Sequence, residues 1–349
     1  MKRTASITIR DVARRAGVGQ ASAARTLGPY GRVSARTRER VLAASDALGY
    51  HTNGLARSMA TGTTNTLGLV LADIENLFFA RVARAIADVA RRHGYTLLLA
   101  NTDEDIVLEQ EAVRVLAEKR VDGLIVVPAS STDSAHLALL IAQRLPLVLI
   151  DRSIQGIEAD TMMVDNVAAA RDAVGRLTAL GHRRIGMITS STTLATTAAR
   201  IAGYRLALSE AGVTTPDHWF RMADDNATSA QAVTAELLAL PEAERPTALF
   251  ATDSNLSADA SSAMQAAGLA IPGEVSLIGF DDVEWMSMVR PTVTVVNQPV
   301  HELGLQAAER LMARINGDDS PPRRIWLETE LIVRQSCAPP PCSSGRNGQ

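Results

Sequence analysis

Residues 8–27, TIRDVARRAGVGQASAARTL, decide how the amino-terminal part of this 349-residue chain folds. The apolar positions Ile9, Val12, Ala13 and Ala16 recur at a spacing that paints one helical face. Thr8 stands where an N-cap belongs, with Asp11 in the first turn, and Gly17 can end the helix by taking a left-handed conformation. A second short helix is expected from about Gln20 to Leu27. A third is expected from about Ala35 to Leu48, capped by Ser34, with Val41, Leu42 and Leu48 turned inward. Three short helices with a Gly turn between the first two form the pattern of a helix-turn-helix unit. A generic three-helix bundle satisfies the same spacing. What separates the two readings is the outer face of the second helix, which carries Gln20, Ser22 and Arg25. Gln pairs bidentately with an adenine edge and Arg with guanine, while surrounding Arg residues such as Arg32 bind phosphate without reading sequence.

Charge supports the nucleic-acid reading. The whole chain is close to neutral at −3, but residues 1–60 hold eleven Lys/Arg against three acids, a net of +8. The remaining 24 basic and 35 acidic residues leave the rest at −11. A basic head on an acidic body suits a module that grips a polyanion, joined to one that does not. Apolar residues make up 46% of the chain and aromatics only 3%, so the core is built from Ala, Val, Leu and Ile. Cys337 and Cys342 lie in a Pro/Ser/Gly-rich end, read as an inert, disordered tail at 336–349, and a reduced compartment is the default. No apolar run is long enough to span a bilayer and Met1–Arg10 lacks the core of a signal peptide, so a cytoplasmic location is expected and no membrane partner.

From Leu67 short apolar runs alternate with longer amphipathic ones. Strands are expected at Leu67–Leu71, Thr96–Ala100, Gly123–Val127, Leu147–Ile150, Ile185–Thr189, Ala248–Ala251, Val275–Gly279 and Thr292–Val295. Helical stretches lie between them, among them Phe79–His93, Asp105–Arg120, Asn166–Leu180, Thr197–Ala211, Leu256–Ala267 and Val300–Ile315. Such alternation calls for parallel sheets covered on both faces. The strands are too many for one small sheet and the pattern resets near Asp160–Asp165. The fold class is therefore an all-α helix-turn-helix head (1–49), a hinge (50–64) and an α/β body (65–335) of two doubly wound lobes. Lobe 1 is expected over about 65–160 and 295–322, and lobe 2 over about 161–294 and 323–335.

Ligands of open α/β sheets lie beyond the carboxyl ends of the strands. That singles out Asp73, Asp151-Arg152, Asp253 and Asp281-Asp282. Helix capping accounts equally well for Asp253 or Asp282, whereas Asp151 and Asp281 suit the paired hydroxyls of a sugar. No G-x-x-x-x-G-K-[ST], no H-E-x-x-H and no G-x-S-x-G is present, and the six histidines are scattered. No catalytic residue, metal or cofactor is called for.

The ordered set ITIRDVARRAGVGQASAARTL, RVDGLIVVP, LVLIDRS, GHRRIGMI, ATDSNLSADA, EVSLIGFDD and RPTVTVVNQPVHELGLQAAERLM resembles the lactose-repressor-type (LacI/GalR) family of transcriptional regulators over about residues 7–335. The resemblance implies a dimeric repressor on a near-palindromic operator, released or tightened by a small molecule between the lobes. It assigns Gln20 and Ala21 to the specificity positions of the recognition helix and Arg25 to its partner. It reads NGLARSMATG as a hinge helix that folds on DNA, which composition alone would leave as a passive tether. Tyr50, Asn53 and Ala56 become DNA contacts there, and Met59 the apolar wedge in the minor groove. In the body the resemblance places Arg200 on a ligand hydroxyl or carboxylate, and Phe78 and Phe79 on the cleft wall, although helix-start spacing also suits a core role for one of them. Asp225 stands where the family often has an aromatic, which favours a polyhydroxylated ligand over a purine; likeness to sugar-responsive members implies an inducer, with a purine or other corepressor as the alternative. A solute-binding protein for transport shares the body fold, but it would need export and no basic head.

Overall fold

The computed structural model describes residues 7–28, 33–50, 62–190, 194–223 and 229–341. The chain divides into two compact units, residues 1–65 and 66–349.

In the first unit, helix α1 spans Ile9–Ala16, α2 Gln20–Leu27 and α3 Ala35–Leu48. The Asp11 carboxylate accepts the Thr8 amide at 3.0 Å and the Thr8 hydroxyl at 2.7 Å, which closes the first turn of α1. Gly17 ends the helix at φ 61°, a left-handed conformation that favours glycine. Ser34 Oγ accepts the Thr37 amide at 3.3 Å and so caps α3. The core is Val12, Ala13, Ala16, Ala23, Val41 and Ala44. Leu42 does not join it. The inward face of α3 runs Val41, Ala44, Ser45 and Leu48, the i, i+3, i+4, i+7 series, and Leu42 lies one residue off that stripe, exposed.

The second unit holds two six-stranded sheets. The first contains β1 (Thr66–Leu71), β2 (Thr96–Asn101), β3 (Gly123–Val126), β4 (Leu147–Ile150), β5 (Asp160–Val164) and β11 (Arg324–Leu327), ordered β11-β5-β4-β3-β1-β2 and parallel throughout. The second contains β6 (Ile185–Thr189), β7 (Phe220–Met222), β8 (Ala248–Ala251), β9 (Ser276–Phe280), β10 (Thr294–Asn297) and β12 (Glu330–Ile332), ordered β12-β10-β9-β8-β6-β7. Only its β10–β12 pair is antiparallel.

Each sheet has an apolar layer on both faces. On the first sheet, α4 (Leu77–Arg92) and α12 (Val300–Ile315) bring Val82, Ile86, Leu303 and Leu311 to one face. The other face receives Val113, Leu116, Leu137 and Leu140 from α5 (Ile106–Glu118) and α6 (Ala135–Ala142). On the second sheet, α7 (Asn166–Ala179) and α8 (Ala195–Glu210) cover one face, and α9 (Ala230–Leu238) and α10 (Ser254–Ala266) the other. Helix α11 (Glu284–Met288) follows β9.

Burial on both faces explains why the strands read as continuous apolar runs. It also explains an error in the expected lobe boundaries. Asp160–Val164 belongs to the first sheet, Thr294–Asn297 to the second, and Arg324–Leu327 again to the first. The chain therefore passes between lobes after β5, after β10 and after β11, each a few residues later than the sequence suggested. A buried apolar strand, such as β5 or β10, carries no mark of the sheet it will join, and the half-exposed edge strand β11 is placed by its pairing with β5, so pairing partners alone decide.

Ser336–Pro341 is likewise not a disordered tail. The Leu277 amide donates to Ser336 O at 2.9 Å, the Ala338 amide to Ser276 Oγ at 3.1 Å, and His182 Nε2 lies 2.8 Å from Ala338 O. Cys337 packs against the second-lobe core with its sulfur 3.3 Å from Leu277 O, and burial pushes its thiol pKa up. Cys342 lies outside the described residues.

Candidate functional site

In the first unit, α2 turns Gln20, Ala21 and Arg25 to solvent, with Ser22 half-buried and Ala23 and Thr26 buried beneath them. The helix starts at Gly19, whose carbonyl accepts the Ser22 and Ala23 amides at 2.9 and 3.1 Å. Arg40 of α3 donates to Gly17 O at 3.1 Å and so ties α3 to the turn between α1 and α2. Arg10, Arg14, Arg15, Arg36 and Arg38 are also exposed. Together they surround the unit with cations suited to phosphate. Tyr50, expected to face DNA, packs against the head core, and its carbonyl accepts the Ser45 hydroxyl at 3.1 Å. Arg32, Asn53, Ala56 and Met59 lie outside the described residues.

The body's candidate site forms where strand order reverses. With β1 flanked by β2 and β3, and β6 flanked by β7 and β8, the carboxyl ends of these strands open crevices in each lobe. Two aspartates mark equivalent places. Asp151 follows β4 at φ 71° and its amide donates to Met162 O at 2.8 Å; Asp281 follows β9 at φ 67° and its amide donates to Val296 O at 2.8 Å. A left-handed backbone at an aspartate costs energy and is retained where the neighbouring strand holds it. Both side chains are buried.

Around Asp281 the polar groups converge. Gln298 Nε2 donates to its Oδ1 at 2.6 Å. Arg200, from α8, is fixed on several sides: its Nε donates to Asn166 Oδ1 at 2.7 Å, its Nη1 to Thr252 O at 2.6 Å, and its guanidinium lies 3.8 Å above the Phe280 ring. Burial pushes the Asp281 pKa up to about 6, against the opposing pull of Arg200 and the Gln298 hydrogen bond. The charges of Asp253 and Asp151 push it further up. Asp253 also caps α10, accepting the Leu256 amide at 2.8 Å. On the first lobe Arg152 is buried, paired bidentately with Glu104 at 2.8 and 3.1 Å and with Asp151 at 3.1 Å. Asp73 is half-buried and accepts the Glu75 amide at 2.8 Å in a turn.

Phe78 and Phe79 both belong to the first-lobe core, stacked edge to face with centroids 5.0 Å apart, so neither is left for a cleft wall alone. Asp225 lies outside the described residues. Sequence reading missed Asn166, Thr252, Phe280, Gln298 and Glu104 as partners. Asn166 and Glu104 come from segments that folding brings alongside, and nothing in their local pattern separates them from helix-start or loop residues. Phe280 and Thr252, one place from the aspartates already singled out, were within reach of the same strand-end argument.

Two family models match the chain: residues 8–53 fit the bacterial regulatory proteins of the lacI family, and residues 174–337 a periplasmic binding protein-like domain. The HTH-type transcriptional repressor PurR of Photobacterium profundum is 32% identical over 94% of this chain and 98% of that protein. The chain belongs to the LacI family. It is thus a DNA-binding transcriptional repressor and not an enzyme. Among solved structures, the transcriptional regulator CelR in complex with cellobiose is 29% identical, with a TM-score of 0.70 over 95% of this chain and all of that one. The lac repressor dimer bound to operator and an anti-inducer shares the fold, with a TM-score of 0.84 over 96% of this chain and all of that one at 24% identity. No helix among the described residues is long and apolar enough to cross a membrane.

Proposed function

We propose that this LacI-family repressor acts in the cytoplasm as a homodimer on near-palindromic operator DNA. In this reading a sugar or sugar derivative, bound between the lobes, is its inducer. The observation that carries the ligand class is the pairing of a pre-positioned donor with a buried acceptor. Arg200 is held through Nε and Nη1 and so offers its outer edge, while Asp281 keeps one carboxylate oxygen for a hydroxyl donor. Adjacent hydroxyls on one sugar ring satisfy both at once, each accepting from the guanidinium and donating to the carboxylate. Asp151 and Asp253 add acceptors. The cellobiose complex of a relative supports the same class.

The dimer reading is supported by edge strand β2, which exposes Leu98 and Leu99, and by the lac repressor dimer of like fold. Gln20, Ala21, Ser22 and Arg25 would read bases, with the segment that contains Arg32, Asn53, Ala56 and Met59 on backbone and minor groove.

A second reading is a purine corepressor, supported by the likeness to PurR. Calorimetric titration of the full chain with cellobiose, ribose, adenine and guanine, paired with operator binding on fragments of the host genome, separates the two. The sugar reading expects saturable sugar binding that weakens operator binding. Saturable binding of a purine base that tightens operator binding replaces it with the second. Ligand and DNA must alter each other's affinity by equal factors, so the two titrations check one another.

A further inference from the structure

We propose that Arg81 is a latch between the lobes that positions the Asp281–Asp282 step at the rim of the ligand cleft. The inference goes beyond the ligand reading and does not depend on which ligand binds. Arg81 lies on α4 in the first lobe. Its Nη1 donates to the Asp282 carbonyl at 2.7 Å and its Nη2 to Glu284 Oε1 at 2.5 Å. Both acceptors belong to the second lobe, one just past β9 and the other at the start of α11. The guanidinium therefore joins the two lobes through side-chain contacts beside the crossing that follows β10, where it shares a pocket with Asn297–Glu302.

Each end of this grip is anchored. On the first lobe, Val82 and Ile86 of the same helix are fully buried in the core. On the second, the Asp282 carboxylate is held bidentately by Arg334 at 2.8 and 2.7 Å, and Arg334 also donates to Val293 O at 3.1 Å. What Arg81 grasps is thus not a second loose side chain alone. One of its partners is the backbone carbonyl of the residue that directly follows Asp281, whose left-handed conformation is tied to β10 through Val296. Any shift of that peptide moves the carboxylate that Gln298 and Arg200 address, so lobe separation at Arg81 and acceptor position at Asp281 are mechanically linked. Arg81 is a positioning residue in this sense: it reaches the cleft through Asp282.

The grip is also of the right strength for a switch. Arg81 is 38% and Glu284 63% exposed, so water and salt screen the pair and it adds little to folding. A small term suffices to tilt an equilibrium between two arrangements of close free energy.

Hydrogen exchange on the full chain without ligand tests this. In Arg81→Gln, amide exchange in residues 77–92 and 281–288 should rise about two- to fivefold, the range expected for loss of an exposed pair, while the head and strands β1–β4 stay unchanged. Glu284→Gln, which leaves the carbonyl contact in place, should show a smaller rise in the same two segments. About 0.5 M salt should accelerate those segments in the wild type and do nothing further in Arg81→Gln. The reversed pair, Arg81→Glu with Glu284→Arg, should recover part of the protection. Unchanged exchange in both single variants overturns the latch, because the contact then holds nothing. Acceleration spread through the whole second lobe overturns it too, because Arg81 is then needed for folding. Neither failure bears on ligand class, since no ligand is present.

Discussion

At the scale of single residues, the cleft is a set of polar groups whose states are set by burial. Asp281 shows this most clearly. Desolvation lifts its pKa from about 3.8 to about 6, so the folded body holds this proton more tightly than the unfolded chain does. The sign follows from linkage: the native state gains stability from this proton below about pH 4, and the gain is lost as pH rises through about 6. Asp281→Asn should therefore flatten the pH dependence of unfolding between about pH 4 and 6. It should also make the free protein more stable at pH 7, on the order of 2–3 kcal/mol if the whole shift is realised. Denaturant melts at several pH values check this, and an unaltered pH profile would show that Asp281 does not carry it. Arg200 is the proposed donor to the ligand. Because it addresses Asn166, Thr252 and Phe280 within its own lobe, Arg200→Ala should abolish the ligand's effect on operator binding and leave operator affinity without ligand near wild type. Mobility shifts with and without ligand measure both quantities, and loss of operator binding itself would assign Arg200 a folding role.

At the scale of elements, two helices carry the argument. Helix α2, the proposed recognition helix, begins at a glycine rather than at a side chain that caps, which costs only a few tenths of a kcal/mol. Its position comes instead from Ala23 and Thr26 packing inward and from Arg40 securing the preceding turn. With the scaffold set from beneath, Gln20 stays exposed, as its proposed base-reading role requires. Gln20→Ala should relax preference at one operator position by about 1–3 kcal/mol and leave the salt dependence of binding unchanged. Selection from randomised half-sites measures it, and an identical selected sequence would place the reading register elsewhere. In the body, α7 and α8 approach closely because Gly203 has no side chain. A Cβ there would stand 2.3 Å from Val167 O and 2.8 Å from the Ala170 Cβ. Gly203→Ala should destabilise the second lobe by about 1–3 kcal/mol through forced separation of the helices. Thermal melts read the change, and a melt equal to wild type would mean that the pair has slack.

At the scale of the whole molecule, the body consists of two sheets of like strand order that place Asp151 and Asp281 at matching corners. The chain crosses between them three times, and the side chain of Arg81 adds a bridge that the backbone does not supply. Much of this was legible in the sequence. Local pattern located α1, α2 and α3 to the residue, because caps, Gly17 and the apolar stripe all act within a few positions. Eight of the strands were equally visible as runs of apolar residues between helices. The four that escaped are β5, β7, β11 and β12. Of these, β7 and β12 are three residues long and β11 is a half-exposed edge strand, while β5 is buried but opens on Asp160 and Thr161, which shortens its apolar run to three residues. Asp151, Arg200, Asp253 and Asp281 were named from strand ends and from family likeness, and their role toward a ligand is a proposal. What only tertiary structure decided was of a different kind. Which sheet received residues 160–164, 294–297 and 324–327 depended on pairing partners far away in the chain. The same is true of the burial of both Phe78 and Phe79, the docking of Ser336–Pro341 on β9, and the meeting of Glu104 with Arg152. The sequence alone determined which segments are helix or strand and which residue types face the strand ends, because those are short-range properties of spacing and charge. Contact between segments distant in sequence is settled by packing, and a linear pattern carries no record of it.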